Sequence, residues 1–302
     1  MSPDLKDALA AGTAIIGHLT WYDCRNASIT PAALKVLFDK HGLDEKNFPD
    51  NIKPKHAFQK ACRQAMVKES TSSDNRKSIV KLIVDGMNKI VYGVVDLDVD
   101  EQKEDIDPTF SDRVWLNKDT LTVEYDKGHD TSKKIKDIYN TLCGEYTTRD
   151  ISRMIVKAVD RMYSVSLRDA GVIYFVPVAF KKDLHALQAV VNDVGECNMK
   201  IFDIGTAGAN ANNVQDAAKS QINDKIKKMK TDIADLKSSI TSNTIKGKTI
   251  QNSIDVRLNR FKELKDRCKI MADALKIKAE SLEGDLSEVG TLIKNELMDA
   301  AA

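Results

Sequence analysis

The sequence is poor in the residues that interrupt regular structure and in those that staple small domains. Its 302 residues include only 14 glycines and 6 prolines, which favours long helices over a loop-rich enzyme. Aromatic residues are sparse at 6%. The five cysteines (Cys24, Cys62, Cys143, Cys197 and Cys268) are dispersed and include no C-x-x-C pair. That pattern excludes a disulfide framework and reads as reduced thiols. No apolar run approaches the roughly eighteen residues of a membrane span. The opening MSPDLKDALAAGTAIIGHLTWYD, with Asp4 and Asp7, does not read as a signal peptide. A cytoplasmic protein is therefore expected. Charge of one sign is lacking too: 46 Lys and Arg face 45 Asp and Glu, a formal net charge of +1. Nothing in that balance draws the whole chain to nucleic acid or membrane, so any electrostatic argument is local.

What is present divides into three regions. Residues 1–70 read as a helical N-terminal module with one short strand near HLTWYDC. Within it, ITPAALKVLFDKHGL has Thr30 as N-cap, Pro31 at the first helical position and Gly42 as stop. A second helix runs through HAFQKACRQAMVK. The eleven-residue connection DEKNFPDNIKP is long for a DNA-reading helix-turn-helix. ESTSSDNRK at 69–77 reads as a linker.

Residues 78–205 read as an α+β core domain. SIVKLIVDGMNKIVYGVVDLDVD has the signature of a hairpin around DGMN, and RVWLNKDTLTVEY repeats it around NKD. Two helices follow, the second opened by a capping box from Thr147 to Asp150. GVIYFVPVAF and NMKIFDIG read as late strands flanking a helix. The whole implies an α+β fold, mainly antiparallel sheet packed with helices.

Residues 212–299 carry the strongest periodicity. Ile222, Ile226, Met229, Ile233, Leu236 and Ile240 recur at steps of 4, 3, 4, 3 and 4, a heptad seam. The rhythm returns at Leu264, Cys268, Met271 and Leu275, then at Leu282, Leu286, Val289 and Ile293. An antiparallel coiled-coil hairpin turning near Gly247 is expected, its longer second arm packing on the body or on another chain.

The most chemistry-like stretch is VVDLDVDEQKEDIDP, residues 94–108, with seven carboxylates. Asp96, Asp98 and Asp100 match the first, third and fifth positions of a calcium loop, but Glu101 replaces the turn glycine and Asp107 the closing glutamate. Alternation with Val95, Leu97 and Val99 instead fits a strand with aliphatics toward the core and the carboxylates on a solvated face. The three aspartates stay candidate ligands for Mg or Mn in a nuclease-type site, with Glu124 as a distant contributor. The five histidines (His18, His41, His56, His129 and His185) have no metal-binding spacing. No local signature supports a Cys–His nucleophile. DIGTAGANANN lacks the G-x-G-x-x-G spacing and the Walker lysine, and reads as a flexible hinge capped by Asn213.

Charge along the last region is uneven. Residues 212–280 hold sixteen Lys and Arg against nine Asp and Glu, whereas from 281 onward one Lys faces five acids. Lys225, Lys227, Lys228, Arg257, Arg260 and Lys262 are therefore candidates for a phosphate backbone, although such residues also keep any coiled coil soluble.

The segments LTWYDC…TPAALKVLFDKHGLDEKNFPDNIKPKHAFQKACRQA and GVIYFVPVAF carry a Trp-Tyr strand, a helix ending in His-Gly-Leu, Pro-rich spacing and an Ala-Phe-x-x-Ala helix. Here the chain resembles an uncharacterised family found in phages and bacteria. The resemblance rests mainly on residues 18–66 and 171–180 and thins beyond 205. It implies a bacterial or phage setting, in the host cytoplasm if phage-encoded, and brings no activity or catalytic residues. Three functions follow as expectations. The first is a non-enzymatic scaffold that self-associates or binds a protein partner, with Ile226, Ile233, Leu264, Met271, Leu275, Leu282 and Leu286 carrying the helical contacts and no cofactor. The second is a nucleic-acid-binding accessory protein. The third is a metal-dependent nuclease.

Overall fold

The computed structural model describes residues 14–66, 76–100, 105–167, 172–206, 209–242, 244, 248–275 and 280–294. The chain forms two compact units, one of Met1–Cys24, Phe38–Asn47 and Met154–Ala302, the other of Arg25–Leu37 and Phe48–Arg153.

In the first unit the described chain opens on a strand, β1 (Ile15–Asp23). This corrects the expectation of a helical N-terminal module. β1 is central in an antiparallel four-stranded sheet with the late strands β8 (Val165–Ser166), β9 (Ile173–Pro177) and β10 (Asn198–Gly205), in the order β10-β1-β9-β8. Its partners lie more than 150 residues away, as in the pairs Leu19–Phe175 and Leu19–Phe202. No local periodicity announces such a pairing. Between β9 and β10 runs helix α5 (Lys181–Asn192), which buries Leu184, Leu187, Val190 and Val191.

Three further helices complete this unit: α6 (Ala209–Thr241), α7 (Lys248–Leu275) and α8 (Glu280–Leu292). α6 and α7 form the expected antiparallel pair. Because α6 starts at Ala209, Asn213 lies inside the helix and does not cap a hinge. The expected second arm is two helices, and α8 also packs on α6. The heptad positions Ile222, Ile226, Met229, Ile233, Leu236 and Ile240 are all buried with Leu264, Cys268, Met271, Leu275, Leu286, Val289 and Ile293 in one core. Phe175 and Val165 of the sheet belong to that core too. The Leu282 side chain lies outside the described residues.

Arg267 of α7 ties this helical group to the end of helix α4 (Thr148–Arg161). Its guanidinium donates to the carbonyls of Ser164 at 3.0 Å and Asp160 at 2.9 Å, and to Asp160 Oδ1 at 2.7 Å. Burial pushes the Asp160 carboxyl up, but the Arg267 and Lys225 charges outweigh it and hold the group below the usual carboxylate range.

The second unit is built on an antiparallel meander of β3 (Arg76–Asp85), β4 (Lys89–Asp100), β5 (Asp105–Asn117) and β6 (Val123–Tyr125), in that order. These are the two hairpins read from the sequence, and β2 (Ser28–Ile29) pairs with β7 (Tyr146–Thr147) in a separate two-stranded sheet. Helices α2 (Pro54–Ala65) and α3 (Asp130–Gly144) pack on one face. There Phe58, Ala61, Cys62, Ile135 and Tyr139 meet Val80, Ile90, Val94, Val114 and Leu116. One half of the capping box opening α4 is formed: Asp150 Oδ2 accepts the Thr147 N–H at 2.9 Å, and it accepts the Thr147 hydroxyl as well at 2.7 Å. Helix α1 (Pro31–His41) has Thr30 Oγ1 accepting the Ala33 N–H, and Gly42 ends it at a φ of 68°.

Leu275→Ala empties a buried seam position and is expected to cost about 3 kcal/mol. Val256→Ala, on the exposed side of the same helix, is expected to stay within about 0.5 kcal/mol of the parent. Denaturant titration of both variants checks the contrast.

Candidate functional site

The acidic stretch is placed the opposite way round from the sequence expectation. Val94 is in the core of the second unit, and strand alternation puts Asp96 on that same helix-covered face. Val95 and Leu97 then belong to the other face. Ser78 Oγ donates to Asp96 Oδ1 at 2.5 Å and Ser111 Oγ to Oδ2 at 2.6 Å. His129, at the N-cap of α3, sets its Nε2 3.0 Å from Oδ2. His129 Nδ1 accepts the Thr131 N–H, so Nε2 carries the proton and donates to the carboxylate. Burial pushes the Asp96 carboxyl up, but these partners outweigh it and hold the group below its ordinary value. The fully buried Asp112 acts alongside, accepting the N–H groups of Arg113, Lys127 and His129.

This network also separates the arrangement from a hydrolase triad. In a triad the imidazole lies between carboxylate and hydroxyl with one nitrogen for each. Here both His129 nitrogens are engaged without a serine, and both serines bond the carboxylate directly. Asp98 and Asp100 occupy β4 opposite Asp107 and Asp105, but their side chains lie outside the described residues. Among the described residues no group of three or more His, Cys, Asp or Glu could hold a metal ion. Glu124 pairs with Trp115, on the face away from Asp96. Burial pushes the Cys62 thiol up to about 12 and that of Cys268 up to about 11, which leaves neither as a thiolate nucleophile near neutral pH.

The six candidate cations of α6 and α7 fall into two groups. Lys225 Nζ lies 3.6 Å from Asp160 Oδ1, and burial together with the Arg267 charge lowers its pKa. Arg260 lies 3.5 Å from Asp232 Oδ2, and Arg257 donates to the carbonyls of Asp232 and Ser253. Lys227, Lys228 and Lys262 are exposed.

Two features escaped the sequence reading because each depends on cross-strand register. The first is His18 of β1, fully buried, whose Nδ1 is 2.7 Å from Oδ1 of its cross-strand neighbour Asp203. Among the described residues its Nε2 has no hydrogen-bond partner, and the ring of His185 on α5 stands edge-on with centroids 6.1 Å apart. Burial lowers the His18 pKa, which the Asp203 hydrogen bond and charge only partly offset.

The second is the uncovered face of the β3–β6 sheet. Ile83 is 53% exposed and Phe110 45% exposed. A Cβ on Gly93 would come within 3.0 Å of Ile83 Cδ1 and 3.1 Å of Phe110 Cε2, so these two side chains meet over bare backbone. Arg113 and Lys127 stand 5.7 and 6.0 Å from the Phe110 ring centre, and Lys89 stands 5.4 Å from that of Trp115. Lys81, opposite Gly93, is exposed on the same face.

Fold and surface together define an α+β protein of antiparallel sheets and helices, with no helix among the described residues long and apolar enough to cross a membrane. The chain belongs to a family of unknown function, DUF6744, whose model matches residues 15–302. The likeness therefore runs through the C-terminal helices and does not thin beyond 205. No curated protein and no solved structure matches the chain.

A buried histidine with a depressed pKa ties stability to pH. The unfolded chain takes up the proton near 6.5, before the folded one does. Stability is full above that value and falls as pH drops through it toward the lower folded pKa. Thermal melts between about pH 7.5 and about pH 5 are expected to show this decline. A His18→Gln variant is expected to flatten it, while carboxylate losses lie lower, near and below about pH 4.

Proposed function

We propose that this is a non-enzymatic interaction protein of a bacterial or phage cytoplasm. Its working surface is the uncovered face of the β3–β6 sheet, and the α6–α7 pair, read as a coiled-coil arm, gives it reach. One observation carries this reading: Ile83 and Phe110, which meet over Gly93, are exposed among the described residues on a sheet whose other face carries the helices. Large apolar side chains gathered on one exposed face mark a binding site more often than a neutral surface. The state of Asp96 favours the same reading over a nuclease, because its oxygens already accept from Ser78, Ser111 and His129. The heptad seam is left out of this binding surface, since Ile226, Ile233, Leu264, Met271, Leu275 and Leu286 are buried within the chain.

Light scattering at low and moderate salt, with and without a mixed DNA and RNA pool, tests this. We expect a discrete oligomer or a complex, weakened in Ile83→Lys with little change in melting. The same preparations are expected to leave DNA and RNA intact with Mg²⁺ or Mn²⁺. A monomer under every condition contradicts the reading, as does metal-dependent cleavage that Asp96→Asn abolishes.

A further inference from the structure

We propose that the open face of the β3–β6 sheet binds single-stranded nucleic acid, with Lys81, Lys89, Arg113 and Lys127 toward the phosphates and Phe110 and Trp115 toward the bases. The inference rests on the reading of this face as the binding surface and names its occupant.

Charge is the first argument. Strand pairing sets Lys81 and Arg113 on either side of Gly93, while Lys89 and Lys127 lie against the two aromatic rings. Four cations thus share a face whose described strand residues include one exposed acid, Glu124. Asp96 and Asp112 belong to the other face, where hydrogen bonds from protein groups hold them. The sign of the face favours an anion and opposes a second copy of the same face.

Geometry separates two anionic partners. Cations lie over both aromatic rings, 5.4 to 6.0 Å from their centres, so each ring brings an apolar plane and a donor together. A nucleotide offers the matching pair, a planar base and an adjoining phosphate, repeated along the strand. An acidic protein segment supplies the charge without the plane. A duplex hides its base planes in the stack, so a ring open to solvent, as Phe110 is, selects unpaired bases. Ile83 and Phe110 close over the buried Gly93 and offer the strand an apolar floor between the cations.

Fluorescence anisotropy with labelled oligothymidylate and oligouridylate of about fifteen nucleotides, from about 20 to about 300 mM potassium chloride, reads this directly. Four phosphate contacts on a single strand predict a slope of log K against log salt of about −3. Phe110→Ala, which removes one stacking plane, is expected to weaken binding about tenfold. Arg113→Glu is expected to weaken it further and to flatten the slope. Both substitutions are at exposed side chains, and unchanged melting confirms that each variant is folded. No binding at about 20 mM salt overturns the proposal, as does binding that both variants leave unchanged. Polyglutamate bound as tightly as the oligonucleotides and lost in Arg113→Glu overturns it in favour of an acidic protein partner, while leaving the face as the binding surface.

Discussion

The first unit depends on one long-range constraint, the insertion of β1 between two strands that the chain makes some 150 residues later. Closing so long a loop costs entropy before any contact repays it, so the pairing has to be well specified. Gly17 supplies part of that specification. A Cβ there would stand 2.5 Å from the Val176 carbonyl oxygen and 2.6 Å from a Phe175 ring carbon. Only the bare backbone lets Phe175 cross β1 and enter the core shared with α6, α7 and α8. His18 and Asp203 add a hydrogen bond that exists only when β1 and β10 are in their observed register. A one-residue slip would turn His18 to the opposite face.

Once the sheet is formed, amide side chains mask its two edge strands. Gln221 of α6 accepts the Ser166 N–H and donates to the Ser166 carbonyl, standing in for a neighbouring strand beside β8. At the other edge, Asn192 accepts the Met199 N–H and Gln188 donates to the Met199 carbonyl. Unpaired edges invite pairing with other chains. The second unit guards its β3 edge by different means: Lys81 and a register shift between Leu82 and Val84, both recognised devices against strand addition.

Much of this was legible because it is local. Period-two alternation marked the hairpins of the second unit, and heptad spacing marked α6 and α7. Thr30, Pro31 and Gly42 bounded α1 because caps and stops act within a few residues. The failures share one cause. The sequence shows β1 only as a short strand because its partners are remote. Alternation gives the Asp96 strand two faces without saying which one the helices cover. His18 showed nothing, since its meaning comes from Asp203 and His185, neither of them near it in sequence. Phe110, Arg113 and Lys127 likewise converge only through the β5 bulge and the loop before α3.

The two faces of the β3–β6 sheet show how the same residue types take different roles. A carboxylate beneath helices loses solvation and is stable only when donors replace water. Asp96 has two hydroxyls and an imidazole N–H, and Asp112 has three backbone N–H groups. Those bonds fasten β4 and β5 to the start of α3, which makes these acids building material. Their oxygen atoms are no longer vacant for a cation. The cations opposite are under no such demand, since an exposed ammonium or guanidinium keeps its water. An anionic partner at this face would therefore displace little structure, whereas a metal at Asp96 would first have to break the bonds that hold the unit together.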